Sequence, residues 1–325
     1  MNDAPGTKPT AFVTRRLPDA AWEALAEHVN VDLWDAETPP PYEVLLEKVR
    51  GKEALLCLLT DRIDERLIEA GPDLKVISQI AVGYDNIDVA AATARGIRVG
   101  NTPGVLTEAT ADFTFALLLA AARRIGEAID YVHAGKWETW GLTTLLGHDV
   151  SGATLGIVGF GRIGRAVARR ASGFDMEILY HSRERKLEAE AELNARYASL
   201  EELLRRSDFV SLHVNLTDQT RGLIGARELH LMKRSAILIN TARGPVVNHD
   251  ALYEALKERK IAYAALDVTY PEPLPAEHRL LTLPNIIVAP HVASATISSR
   301  MRMCMMAVEN LVAGVRGEPL PFPVN

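Results

Sequence analysis

The sequence predicts an α/β fold of two doubly wound parallel-sheet domains, one inserted into the other. Three observations carry that prediction. Short apolar runs alternate with helical patterns from Thr10 to Gly100, the alternation starts again at Thr154, and a last helical stretch from about Ser294 to Arg316 has no place in the second series. Strand–helix alternation implies parallel strands, because each crossover lays a helix on a sheet face. The late second series and the orphan last helix imply a discontinuous first domain, 1–102 with 292–325, around an insertion of 103–291. A chain of 325 residues is long enough for two cores of ordinary size.

In the first series the predicted strands are Ala11–Thr14, Val29–Leu33, Ala54–Leu58, Val76–Gln79 and Ile97–Val99. Predicted helices fall at Asp19–His28, Tyr42–Val49, Asp64–Ala70 and Asn86–Ala94. Pro18 offers a fixed φ at one helix start, and Asp61 and Asp85 stand where a side chain can cap one. Pro39-Pro40-Pro41 reads as a rigid loop. Asn101-Thr-Pro-Gly104 then breaks the pattern and marks the crossing into the insertion. From Thr107 to Arg124 the chain is helix-forming and apolar almost all round, which calls for burial in a core or against a partner subunit. Trp137 and Trp140 follow in a loop-like stretch, where large aromatics anchor interfaces more often than they react.

The second series has predicted strands at Leu155–Gly159, Glu177–His181, Phe209–Leu212, Ala236–Asn240, Ala262–Leu266 and Ile286–Val288. Helices fall near Arg162–Ser172, Ser199–Arg206, Ala226–Leu231 and His249–Glu258. Six strands with intervening helices suit a nucleotide-binding sheet. At their head an apolar strand runs into Gly159-x-Gly161-x-x-Gly164, with a helix behind it. Gly159 permits the tight turn, Gly161 lets backbone approach a pyrophosphate, and Gly164 allows close helix–strand packing. The helix N-terminus, at Arg162 and Ile163, offers free N–H groups and a positive dipole to phosphates. In that context the glycines are a Rossmann dinucleotide fingerprint.

The next strand decides between cofactors. In an NAD site an acidic residue about 20 positions on binds the ribose 2′-OH. Here Ser182 stands in that place, with Arg183 and Arg185 directly after it. An anionic 2′-phosphate would be repelled by an acid and held by guanidinium forks, so NADP(H) is preferred. Glu184 keeps NAD(H) as the alternative, and a solvated charge run is the bland reading of the same residues.

Three ionisable residues follow later strands, at the carboxyl edge where such sheets bind ligands: Arg243, Glu272 and His291. Singly they could be a surface charge, a turn residue between prolines, and one of nine histidines with a structural bond. Together they make a carboxylate clamp, an orienting acid and a proton donor.

With these residues in place the chain resembles the D-2-hydroxyacid dehydrogenases, nearest the glyoxylate/hydroxypyruvate reductase branch, from Thr10 to the Gly317-Glu-Pro319 tail. The motifs are Val82-Gly-Tyr-Asp-Asn86, the Gly159 fingerprint, Thr241-Ala242-Arg243-Gly244, Asp267 to Pro273, and Pro290-His-Val-Ala-Ser294. The resemblance implies that Arg243 binds the carboxylate and carbonyl of a small 2-oxo acid, and that Glu272 hydrogen-bonds His291. It implies backbone N–H donors around Val82 and Gly83 to the substrate carboxylate, and a substrate-side place for Ser294. Thr107, Thr241 and Asp267 would contact the nicotinamide half, with Asn215, Leu216 and Thr217 as a cofactor-lining loop. Trp140 would be lent by a second subunit of a homodimer joined through the nucleotide domains. The outer domain would be flavodoxin-like, with the cleft between it and the insertion. The implied reaction passes a hydride from nicotinamide C4 to the 2-oxo carbon while His291 protonates the carbonyl oxygen. A neighbouring carboxylate favours the charged imidazole that this direction needs.

Composition narrows the class. The chain is 48% hydrophobic and 24% charged with a net charge of −6, and its charges are interspersed, so no basic face points to nucleic acid. The N-terminus has no apolar signal region, and the longest apolar stretch, Phe113 to Ala122, is too short to span a bilayer. Cys57 and Cys304 sit in apolar surroundings without metal-ligand spacing, so the expectation is a reduced, cytoplasmic, metal-free and soluble protein. Two alternatives stay open. One is a 3-phosphoglycerate dehydrogenase-like or other D-2-hydroxyacid dehydrogenase using NAD, although for the former Leu58-Leu-Thr-Asp61 supplies no basic group for a distal phosphate. The other is an NAD(P)-sensing scaffold resembling the C-terminal-binding corepressors, which keep the Arg/Glu/His set.

Overall fold

A computed structural model of the chain describes residues 8–325; the expectation about the extreme N-terminus falls on residues 1–7, outside that range. The chain forms two compact units, one of residues up to Leu106 together with Thr296–Asn325, the other Thr107–Ala295.

The first unit holds strands β1 (Thr10–Val13), β2 (Asn30–Leu33), β3 (Ala54–Cys57), β4 (Val76–Gln79) and β5 (Arg98–Gly100). All neighbours pair in parallel, in the order β2-β1-β3-β4-β5. That is the flavodoxin-like order. Between them run α1 (Asp19–Ala26), α2 (Tyr42–Lys48), α3 (Glu65–Ala70) and α4 (Val89–Ala94). Pro18 does stand at the N-cap of α1. The capping aspartates, however, are Asp64 and Asp88, three residues beyond the expected Asp61 and Asp85; they accept from Leu67 N–H and Ala91 N–H. Asp61 is instead buried, taking the Thr14 hydroxyl at 2.6 Å and Leu58 N–H at 2.8 Å.

The second unit begins with α5 (Thr107–Ala122) and α6 (Ile125–His133). Its strands are β6 (Thr154–Val158), β7 (Glu177–His181), β8 (Ala195–Tyr197), β9 (Phe209–Leu212), β10 (Ile237–Asn240), β11 (Tyr263–Leu266) and β12 (Ile286–Val288). The sheet is parallel throughout, in the order β12-β11-β10-β9-β6-β7-β8. This is the dinucleotide-binding order with a seventh strand added, and the order reverses between β6 and β9. The other helices are α7 (Arg162–Ser172), α8 (Leu187–Leu193), α9 (Leu200–Arg206), α10 (Ala226–Leu231) and α11 (His249–Lys257).

Seven strands rather than six is a correction. β8 is three residues long at a sheet edge and buries only Ala195, so it carries no apolar run to betray it. Helices α6 and α8 are likewise additions to the predicted elements. Arg124, in the left-handed region at φ 52°, separates α5 from α6. The apolar helix α5 is buried by its own unit, against α7, β10 and β11, so its composition needs no second subunit. The uncovered apolar face belongs to α6, which buries nothing and exposes Ile125, Ile129 and Val132.

The last helix, α12 (Ile297–Arg316), packs on β3, β4 and β5 of the first unit. Thr296 caps it, accepting from Ser299 N–H, so it starts later than Ser294. Gly314 lies where any Cβ would collide with Val76, and the Ser78 hydroxyl donates to Ala307 O at 2.7 Å. Among the described residues no helix is long and apolar enough to cross a membrane.

Candidate active site

The turn out of β6 is shaped by what its glycines leave out. Gly159 has φ +98°, and a Cβ there would come within 2.5 Å of the His213 carbonyl oxygen as the chain leaves β9. At Gly164 a Cβ would collide with the Gly159 carbonyl, so α7 reaches this close to β6 only with glycine. Gly161, the N-cap of α7, differs: nothing lies within 4 Å of where its Cβ would be. That opening faces the helix start at Arg162 and Ile163, where the first-turn N–H groups have no intrahelical acceptor. Open space, free donors and a positive dipole make a cradle that fits a phosphate.

After β7 the charged run divides. The Ser182 hydroxyl donates to the Glu184 carbonyl, and Glu184 pairs with Lys186 at 2.9 Å. Arg185 forks onto both oxygens of Glu190, at 2.8 and 2.9 Å, where the Tyr180 hydroxyl also donates. Arg183 is exposed and makes no hydrogen bond among the described residues. The two arginines read together in the sequence thus have different tasks. The loop after β9 is held by Thr220, whose hydroxyl donates to Asn215 O at 2.6 Å and accepts from Thr217 N–H at 2.8 Å, with Leu216 between them.

The ends of β10, β11 and β12 carry the ionisable groups. Buried Asn240 folds the first of these turns, accepting from Ala242 N–H at 3.0 Å and donating to Arg243 O at 2.9 Å. Arg243 is half-buried, and its Nη1 donates to Ala242 O at 2.8 Å. The Thr241 hydroxyl sits 2.9 Å from that of Thr114, tying this strand end to α5. Asp267, at the end of β11, accepts from Val292 N–H and Ala293 N–H at 2.8 and 2.9 Å, and its carbonyl accepts from His291 N–H at 2.8 Å. Those bonds hold His291 in the left-handed region at φ 56°. Glu272, in a loop whose Tyr270–Pro271 and Glu272–Pro273 peptides are cis, accepts from Thr269 N–H at 3.2 Å. Its Oε1 lies 2.6 Å from His291 Nδ1.

The charges follow from this packing. Burial pushes the Glu272 carboxyl up, but the hydrogen bond and charge of His291, Thr269 N–H and the charge of Arg243 together carry it below the usual range. For Asp267 burial wins and its carboxyl is raised, against the Val292 and Ala293 N–H bonds. Three strand ends therefore bring an imidazole, its bonded carboxylate and a guanidinium into one electrostatic group. Ser294 is buried in the loop that follows His291, and Thr107 is the first residue of α5. Trp140 is 79% exposed and makes no ring contact among the described residues. Val82 and Gly83 belong to the first unit, where their carbonyls accept from Asn101 Nδ2 and Gln79 Nε2 at 2.7 and 3.2 Å. Asn240, Thr269 and the loop-holding carboxylate of Asp267 are supports for which the sequence has no local signal.

Sheet order, fingerprint cradle and this group define an NAD(P)-dependent oxidoreductase acting on a CH–OH group. Residues 115–293 match the family described as D-isomer specific 2-hydroxyacid dehydrogenase, NAD binding domain. The glyoxylate reductase of Korarchaeum cryptofilum is 56% identical over 319 residues, 98% of this chain and 96% of that protein. Among solved structures, a Thermus thermophilus protein superposes with a TM-score of 0.91 at 47% identity, covering 97% of this chain and all of that one (100%). An NADPH-dependent glyoxylate/hydroxypyruvate reductase from Sinorhizobium meliloti, solved with NADP and malonate, gives 0.87 at 33% identity over 98% of this chain and 97% of its own. The chain belongs to the D-isomer-specific 2-hydroxyacid dehydrogenases.

Proposed function

We propose that the protein reduces small 2-oxo acids with NADPH, glyoxylate to glycolate and hydroxypyruvate to D-glycerate. The observation that carries this reading is the 2.6 Å bond from Glu272 to His291 Nδ1, one strand end away from Arg243. Support comes from relatives called glyoxylate reductases and from the NADPH-dependent enzyme of Sinorhizobium meliloti.

The bound cofactor supplies a hydride for the 2-oxo carbon. The open space at Gly161, with the N–H groups of Arg162 and Ile163, would hold its pyrophosphate, and Arg183 its 2′-phosphate. Thr107, the Asn215–Thr217 loop, Thr241, Ala242 and Asp267 would line the rest. Glu272 engages Nδ1 of His291, which fixes the ring and leaves Nε2 to give its proton to the carbonyl oxygen. Arg243 would grip the substrate carboxylate bidentately and offset charge growing on that oxygen. Ser294 keeps a substrate-side place in this proposal.

Steady-state oxidation of NADPH and NADH with glyoxylate, hydroxypyruvate and pyruvate tests the reading. The expected result is turnover of the first two acids with kcat/KM at least about tenfold higher for NADPH. Preference for NADH would overturn the cofactor assignment, and no turnover of any acid would leave the cofactor-sensing scaffold.

We also propose that the protein is a homodimer through the α6 side of the second unit. Ile125, Ile129 and Val132 lie on one stripe of α6, and Trp137, Trp140, Leu142 and Leu146 are exposed beyond it. So many exposed large apolar side chains within one short stretch of chain support an interface there. Light scattering coupled to size exclusion should give twice the chain mass, and Ile129→Glu should shift it to one; a monomeric wild type refutes the dimer, and with it the loan of Trp140.

A further inference from the structure

The loop that presents Glu272 leans on a histidine that the reaction above does not use. His249 is the first residue of α11, behind the Asn248 cap, and is only 8% exposed. Its Nδ1 lies 3.0 Å from Tyr270 O. Tyr270 N–H also points at Nδ1, at 3.4 Å, but the carbonyl is nearer and can only accept, which places the proton on Nδ1. Its Nε2 is buried with no partner. Burial pulls this imidazole below its ordinary range, against the bond to Tyr270; the ring of His278, 6.4 Å away, pulls the same way and Asp250 opposes it. A neutral ring is what that orphaned Nε2 requires.

The same loop is caught on another side. At Gly244, directly after Arg243, any Cβ would collide with the Thr269 carbonyl. Thr269 in turn gives its N–H to Glu272 Oε2 at 3.2 Å and its hydroxyl to Pro271 O at 2.8 Å. The Thr269–Tyr270 backbone is thus seated on the arginine turn, bonded within the loop to Glu272, and held from outside the loop by His249.

We propose that His249 is a positioning residue whose Nδ1–H holds the Tyr270 carbonyl and so keeps Glu272 within bonding reach of His291. This rests on the reading of Glu272 and His291 as the working pair. Loss of the anchor lets the loop drift, which loosens the imidazole while the Arg243 turn, folded by Asn240, stays in place. Small displacements at a proton-transfer site cost rate more than binding.

The test compares three variants. His249→Ala should lower kcat about tenfold or more, with KM for glyoxylate held within about twofold. His249→Asn should restore most of the rate, because its Nδ2 can donate to Tyr270 O from nearly the same place; His249→Gln, one carbon longer, should not. An unchanged kcat in His249→Ala overturns the proposal, as does equal loss in the Asn and Gln variants, which would make His249 mere packing. Should the Ala variant fail to fold, the Asn–Gln contrast still decides. His291→Ala separates the two levels: if it retains turnover, the site reading itself fails, whereas an inactive His291→Ala beside a fully active His249→Ala sinks only the role of His249.

Discussion

The turn after β6 and the loops after β10, β11 and β12 stand on the same edge of one sheet, yet they are specified in opposite ways. The turn is made by missing atoms: Gly159 and Gly164 leave room for backbone, and Gly161 leaves room for a ligand. The loops are made by bonds between side chains and backbone: Asn240 folds one, Asp267 holds the next, and Glu272 with His291 joins two of them. Single substitutions should therefore break the two regions differently. On the glycine side they should change stability or cofactor affinity; on the loop side they should change rate with little effect on either.

His291→Ala should show the largest effect. Removing a positioned proton donor is expected to cut kcat by about 10²- to 10⁴-fold. Its side chain is partly exposed and its main bond is to Glu272, so the melting temperature and the NADPH affinity by fluorescence titration should hold. Turnover within about tenfold of wild type would remove His291 from the chemistry.

A pair of glycine substitutions sharpens the contrast. Gly159→Ala forces a side chain onto φ +98° and against the His213 carbonyl, which should cost roughly 2–5 kcal/mol in denaturant unfolding. Gly161→Ala meets nothing within 4 Å, so its stability should stay within about 1 kcal/mol while the cofactor Kd rises, because the new methyl fills the cradle. An unchanged cofactor Kd in Gly161→Ala would mean that the open space there has no bearing on binding.

The difference in specification also explains what was legible in the sequence. Strands such as Val76–Gln79, Glu177–His181 and Phe209–Leu212 announce themselves as apolar runs between helices. The fingerprint is legible because only glycine meets its demands, and a glycine's spacing survives in one dimension. The acid and the imidazole, by contrast, lie 19 positions apart; their strand-end places group them, but their hydrogen bond rests on resemblance alone until the structure sets them 2.6 Å apart. Their supports were silent. Asn240 looks like a strand end, Asp267 like a ligand contact, and His249 like any residue at a helix start. The edge strand β8 had too little buried surface to register, and the apolar stripe of α6 faces outward, where burial logic does not look for it.

Acid stability gives a third, smaller test on the glycine side. His213, whose carbonyl oxygen crowds Gly159, has its Nε2 2.8 Å from the Ser211 hydroxyl, and burial lowers its pKa from 6.5 to about 3. The folded protein keeps this ring neutral, while the unfolded chain binds a proton below pH 6.5. Stability should therefore fall as pH drops from 6.5 towards about 3, and level off below that. The slope should stay under ~1.4 kcal/mol per pH unit for this group, since one imidazole exchanges at most one proton on unfolding. Unfolding curves for His213→Asn between pH 6.5 and 5 should be flatter than wild type; an unchanged slope would mean that the ring is hydrated in the folded state.

The two arginines after β7 bring the smallest effect and the finest distinction. Both are exposed, both follow Ser182, and in sequence they are interchangeable phosphate ligands. In the fold Arg185 is committed to Glu190, with the carboxylate also bonded to Tyr180, so moving it to a phosphate would leave that carboxylate short of its cation. Arg183 has no such commitment. Arg183→Ala should therefore raise KM for NADPH about tenfold and leave NADH nearly unchanged, since only NADPH has the extra phosphate. Arg185→Ala should alter both cofactors by less than about twofold, because its guanidinium is bonded to Glu190 and not free to meet either cofactor. The reverse ranking would show that Glu190 releases Arg185 when the cofactor binds; equal losses for both cofactors in Arg183→Ala would reduce the whole run to solvated surface.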